Sequence, residues 1–158
     1  MVDIEIRRAT IEDFSAIREF CSSLLAYEHG LGDKSLDLGW ISGKDGEEYV
    51  RNAITNEDSC AFVAVGDSSV VGYIEGGVVD VEKYRNIGKM GKLESFYISD
   101  ESRGNGIGDK LYGAFVEWAK SKKIRRLCVE VSFANEGAMR FYEKKGFGKF
   151  LAVLEREI

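Results

Sequence analysis

The ten residues 102-SRGNGIGDKL-111 limit what this chain can fold into more than any other stretch. Glycines stand at alternate positions, 104, 106 and 108, with Arg103 in front. Glycine loses more conformational freedom on folding than other residues, so this spacing needs a reason. Before it, 92-KLESFYIS-99 reads as a strand. After it, Ile107, Leu111, Ala114, Phe115, Trp118 and Ala119 mark one face of a helix over about 106–123. A strand, a glycine turn and a helix place free backbone N–H groups at a helix N-terminus. Those donors and the helix dipole favour an anion, and glycines let a diphosphate approach closely. Two well-known phosphate cradles are excluded by spacing. A P-loop requires a second glycine where Asp109 stands, and a dinucleotide fold requires GxGxxG where this chain has GxGxG.

The rest of the chain supplies a frame for that turn. Residues 3–9 alternate Ile4 and Ile6 with charged residues, the pattern of a half-buried strand. Thr10 and Asp13 suit a helix start, and Ile11, Phe14, Ile17, Phe20, Cys21, Leu24 and Leu25 carry the helix to about Glu28. Glycines 30, 32, 39, 43 and 46 make the next segment a connection with a short helix, before a second helix near 45–57. Strands at 60–66 and 70–82 flank GDSS, a tight-turn composition. A strand at 127–131, a helix at 136–145 and a last strand at 147–156 complete the order βααββ–βαβαβ. This is a mixed α+β, or α/β, domain with a central sheet, and 158 residues fit a single domain over 1–158.

Composition narrows the function classes. The chain is 44% hydrophobic and 31% charged, with no apolar run long enough to span a bilayer. Its start lacks a signal peptide's apolar segment. Three widely spaced cysteines (Cys21, Cys60, Cys128) suit a reducing, cytoplasmic setting better than a disulfide framework. Residues 1–101 hold 20 acids and 10 bases, and residues 102–158 hold 7 acids and 12 bases. No uniformly basic face for nucleic acid is expected. The split suits an anion met by the last third and a cation met by the rest, although ordinary solvated faces would carry the same count. His29 stands alone as a helix-end residue, and the spacing shows no metal site.

Arg103-Gly104-Asn105-Gly106-Ile107-Gly108 resembles the [R/Q]xxGx[G/A] loop of the GCN5-related N-acetyltransferase (GNAT) superfamily. Downstream, 135-NEGAMRFYEKKGF-147 resembles that superfamily's N…A…FYxxxGF motif. The likeness covers about 92–150 well and 1–91 only in element order. It implies a mostly antiparallel, splayed sheet flanked by helices, with acetyl-CoA as donor. The amides of Arg103, Gly104, Asn105, Gly106, Ile107, Gly108 and Asp109 would hold the pyrophosphate. Backbone groups of Phe96, Tyr97 and Ile98 would pair with the pantetheine arm as an added strand. Asn135 would reach the pantetheine amides, and Tyr142 would stand near the thioester sulfur. Asp109 departs from the small or basic residue usual there. Its charge opposes a diphosphate, and Lys110, Lys144 or Lys145 could offset it.

Acyl transfer to an amine needs a neutral amine, donors for the oxyanion, and a protonated leaving thiolate. Glu94 is the first candidate for the base. By period two it should share a face with Phe96 and Ile98. It could equally be a strand-edge charge that only attracts a cationic substrate. An amide near Phe96 or Tyr97 would be the oxyanion donor. Tyr142, one helical turn after Ala138, is the candidate acid. Cys128 in its apolar strand reads as core. Tyr27, Trp40, Tyr49 and Tyr73 flank the region where relatives seat the acceptor. The function implied is an N-acetyltransferase working on a primary amine: a polyamine, another small amine, or a protein N-terminus or lysine. The rival is a CoA-binding sensor that has lost catalysis. Relatives often dimerise, so the resemblance also implies a homodimer.

Overall fold

The structure, a computed structural model, describes residues 3–158. Five strands form one sheet in sequence order: β1 (Glu5–Arg8), β2 (Ser59–Gly66), β3 (Ser69–Val79), β4 (Met90–Ile98) and β5 (Arg126–Val129). The first four are antiparallel to their neighbours, and β5 runs parallel to β4. The mixed class, the helix positions and the mostly antiparallel sheet are those expected from the sequence.

The helices are α1 (Phe14–Leu31), α2 (Lys44–Thr55), α3 (Ile107–Ser121) and α4 (Glu136–Lys144). Helix α1 is entered through a 3-10 turn at Ile11–Asp13, and Asp13 fixes that entry. Its carboxylate accepts the Thr10 N–H (2.8 Å) and two bonds from the Arg7 guanidinium (2.7 and 2.9 Å). The bonds from Arg7 hold the Asp13 carboxyl below its ordinary range. The β2–β3 hairpin turns through Asp67 and Ser68, both left-handed (φ 49° and 64°), as a twisted two-residue hairpin requires.

Two cores lie on opposite faces of the sheet. Helices α1 and α2 cover Val63 and Tyr73 with Ile17, Cys21 and Val50. Helix α3 and residues of α4 cover Ile74 and Leu93 with Leu111, Phe115, Trp118 and Tyr142. Each fully buried aliphatic or aromatic side chain contributes about 1.5–3 kcal/mol, so both cores hold the sheet firmly. No helix among the described residues is long and apolar enough to cross a membrane.

The last strand, expected at 147–156, does not form. Residues 147–158 carry no regular structure, and Phe150, Leu151, Val153 and Leu154 are exposed. Alternating apolar residues give strand propensity, but a strand needs a partner edge, and this segment has none here. Phe150 is instead flanked by the guanidinium groups of Arg85 (4.8 Å) and Arg126 (5.7 Å).

Candidate functional site

The glycine turn is built to expose its amides. Gly104 (φ 80°) and Gly106 (φ 72°) are left-handed, which costs a residue with a side chain about 1–2 kcal/mol. A methyl group at either would meet nothing within 4 Å, so backbone geometry, not space, selects glycine there. Gly106 caps α3, and the first bond of that end runs from the Lys110 N–H to the Gly106 carbonyl (3.2 Å). The N–H groups from Gly104 through Asp109 have no partner among the described residues, and this turn is exposed apart from Ile107 and Gly108. Six successive unpartnered donors therefore gather at the positive end of α3, those of Gly104, Asn105, Gly106 and Asp109 on exposed residues. The Arg103 N–H bonds back to Asp100 (3.4 Å), so the cradle begins one residue later than expected. The Arg103 side chain ties the turn to the end of β4 by donating to the Ile98 carbonyl (3.0 Å) and pairing with Asp100 (2.8 Å). Gly108 is different. A methyl there would make ordinary 3.5 Å contacts with Ile98, Phe96 and Phe141.

Asp109 is answered by Lys145, whose Nζ lies 2.7 Å from the carboxylate. The same ammonium sits 5.5 Å from the ring centres of Tyr112 and Phe141. The last turn of α4 is thereby tied to the first turn of α3 beside the free amides.

Between the turn and the sheet centre, β4 lacks a neighbour on one side. It pairs with β5 only over Met90–Leu93, so Glu94, Ser95, Phe96, Tyr97 and Ile98 keep an open edge where β5 diverges. Tyr97 faces α1, 5.6 Å from Phe20, and Phe96 faces α4, 5.4 Å from Phe141. The open edge is a ready site for an added extended chain.

Glu94 sits in a bulge. In the β3–β4 ladder Ser95 opposes Glu75 and Leu93 opposes Gly76, which leaves Glu94 without a partner. The bulge breaks the period of two. Leu93 and Phe96 pack against the α3 core, whereas Ser95 bonds Tyr73 on the α1–α2 face. Period two across the bulge therefore does not by itself set the face of Glu94. A bulge re-aims the residue it carries, and nothing in the sequence marks this one. The Glu94 carboxylate is half-exposed, lies 3.5 Å from Lys92, and its charge is felt by Glu75 and Tyr49 on the α1–α2 side.

Tyr142 is 7% exposed, ringed by Phe141 and Phe147, and burial pushes its phenol upward. Its hydroxyl has no partner among the described residues yet keeps contact with solvent. A held ring with a free, protonated hydroxyl suits a proton donor. The charges of Tyr112 and of Glu28, in the last turn of α1, add to the rise of the Tyr142 phenol. Asn135 caps α4, its Oδ1 accepting the Ala138 N–H at 3.1 Å, so only its amide NH2 remains for a ligand.

Cys128 is half-buried, and burial raises its thiol and that of Cys60, the latter to about 12, so neither is a ready nucleophile. Tyr73 is fully buried and lines nothing. Its hydroxyl joins Cys21 (2.9 Å) and Ser95 (2.7 Å). Tyr27 and Trp40 are exposed, and Trp40 meets Tyr49 edge-on at 5.5 Å.

Glu75, which the sequence reading passes over, is 3% exposed in the middle of β3 and bonded by the Tyr49 hydroxyl. Burial pushes its carboxyl up to about 7. The Tyr49 bond opposes that rise, and the charge of Glu94 adds to it. The available signal was one carboxylate inside the apolar strand VVGYIEGGVV.

The chain matches the family model described as the acetyltransferase (GNAT) family over residues 25–147. It is 29% identical over 90 residues to N-alpha-acetyltransferase 30 of Schizosaccharomyces pombe, covering 57% of this chain and 58% of that protein. It is 32% identical over 93 residues to an N-alpha-acetyltransferase of Saccharolobus solfataricus, covering 56% of each. The chain thus spans a little over half the length of these curated relatives. Among solved structures, the fold matches a tetramutant of the BH1408 protein from Bacillus halodurans (TM-score 0.82, 18% identity, 98% and 99% of the two chains). It also matches the aminoglycoside N-acetyltransferase AAC(6')-Iy in complex with CoA (TM-score 0.78, 16% identity, 100% and 96%).

Proposed function

Since the chain belongs to the GNAT family of acetyltransferases, we propose that it moves an acetyl group from acetyl-CoA to a cationic primary amine. The observation that carries this reading is the row of six unpartnered amides, Gly104 to Asp109, beside the open edge of β4. Those donors fit a diphosphate, and the strand edge from Ile98 back to Ser95 fits an extended amide-bearing arm. The bound cosubstrate would supply an activated acetyl thioester at the bulge. Everything else falls to this chain.

Backbone N–H groups of the segment near Phe96 and Tyr97 stabilise the oxyanion. Tyr142 gives its proton to the leaving sulfur. The Asn135 NH2 steadies the arm. Glu94 draws the ammonium of the acceptor. Attack is direct, in a ternary complex. The class of acceptor is supported by charge. Glu75 and Glu94 lie close enough beside the bulge to feel one another's charge, and N-alpha-acetyltransferases are among the relatives. Bare peptide N-termini and polyamines are accordingly the acceptors to try first.

The test is thiol release from acetyl-CoA with a panel of amines, spermidine and peptides with free N-termini included. Micromolar CoA binding with amine-dependent thiol release is expected. Tight binding with no release from any amine would overturn catalysis in favour of a CoA sensor. No binding would overturn the whole reading.

A further inference from the structure

The fold gives no reason for Glu75. A carboxylate buried at the centre of a sheet costs several kcal/mol unless a cation or several donors answer it. Here one group does, the Tyr49 hydroxyl from α2. The other titratable groups that face it are Cys21 from α1, Cys60 from β2, Tyr73 on its own strand and Glu94 from β4. None is a base. Lys92 is engaged by Glu94 and Glu130.

Its position is equally specific. Glu75 opposes Ser95, immediately beside the bulge at Glu94, where β4 has just lost β5 as a neighbour. Among the described residues, Trp118 Nε1 is the one fully sealed side-chain atom without a partner. The second oxygen of Glu75 has no bonded partner either, so the little exposure this residue keeps reaches that oxygen. One oxygen is held by Tyr49, and the other is left without a bonded partner beside the bulge.

We propose that Glu75 is the general base of the acceptor site, with Tyr49 orienting it and Glu94 acting as the outer carboxylate that draws in the cation. This inference rests on the acetyltransferase reading above. The ammonium gives one proton to the Glu75 carboxylate. The freed lone pair forms the N–C bond to the thioester carbonyl carbon, the C–S bond breaks, and sulfur keeps its electron pair. Tyr142 protonates that sulfur and recovers a proton from the new amide nitrogen. Glu75 then returns its proton to solvent, so amine cation and thioester become amide, thiol and one released proton. A carboxyl that titrates near neutrality is well matched to this work, and Glu75 does so. The Glu94 carboxylate is instead engaged, 3.5 Å from the Lys92 ammonium and partly exposed.

The experiment is the pH dependence of kcat/KM for thiol release, with spermidine and with a tetrapeptide bearing a free N-terminus. In the wild type, activity should rise with pH through about 7. Glu75→Gln should lose on the order of 100-fold and lose that rise, with CoA affinity unchanged. Tyr49→Phe removes a bond that favours the ionised carboxylate, so it should move the rise to higher pH. Glu94→Gln should move it to lower pH and raise KM. A Glu75→Gln enzyme that keeps the rate and the rise overturns the proposal. Should that variant fail to fold, an unmoved midpoint in Tyr49→Phe overturns it instead. If the wild type releases no thiol, the acetyltransferase reading has failed separately. Carbon-13 NMR of the Glu75 carboxyl in the CoA-bound protein then decides. Spermidine should pull its midpoint down, and an unmoved midpoint refutes contact with the cation.

Discussion

Replacing Glu75 by glutamine tests the burial argument without any substrate. In the unfolded chain this carboxyl ionises near 4.5, and in the fold it keeps its proton to about 7. Its pKa is raised on folding, so its protonated form is the one that suits the fold. Stability is whole below about pH 4.5 and is lost as pH climbs to 7, where the unfolded chain has long since given up the proton. The gap corresponds to about 3 kcal/mol. Glutamine has the same shape and never ionises. Wild type and Glu75→Gln should therefore be almost equally stable at pH 4.5, and the variant should be the more stable one at pH 8 by about 3 kcal/mol. For a chain of this size that is about 6–12 °C in melting temperature. Urea unfolding at pH 4.5, 6, 7 and 8 measures it, and the difference between the two proteins cancels every other titrating group. Two curves that run parallel across the range would refute the burial, and with it the reason for singling out Glu75.

Other outcomes follow from the same geometry. Tyr142→Phe should lower turnover at least tenfold with CoA affinity unchanged; equal turnover removes the hydroxyl from the mechanism. Gly106→Ala should leave the protein folded, about 1–2 kcal/mol less stable, and weaken CoA binding at least tenfold by calorimetry, whereas Gly108→Ala should change binding less than threefold. Asp109→Asn frees Lys145 and should tighten CoA binding a few-fold at low salt, an advantage that fades at 0.5 M salt. Asp13→Asn should cost about 1–3 kcal/mol at pH 7 and nothing at a pH low enough to protonate Asp13, because that group's depressed pKa stabilises the fold only above its titration.

Much of this molecule is legible before any coordinates are seen. The apolar spacing of Ile17, Cys21 and Leu111, Phe115, Trp118 announces helices, and GDSS announces a hairpin, because local periodicity and turn chemistry act over a few residues. The glycine turn is legible for the same reason. What escapes depends on partners far along the chain. The bulge at Glu94 escapes because it is set by the fit of β3 to β4, and Gly76 has no room for a methyl against the Lys92 carbonyl and Phe115. Glu75 is overlooked because burial, not residue type, makes it unusual. The final strand fails because propensity in 147–156 does not create an edge to pair with.

The parting of β4 from β5 has a mechanical consequence. Four residue pairs, Met90–Leu93 with Arg126–Val129, join β5 to the other strands of the sheet. A chain laid along the open β4 edge beyond them would add a sixth strand next to those four pairs. Loading that edge should slow hydrogen exchange at Arg126–Val129, well away from the glycine turn, and brace the join of β5 to the sheet.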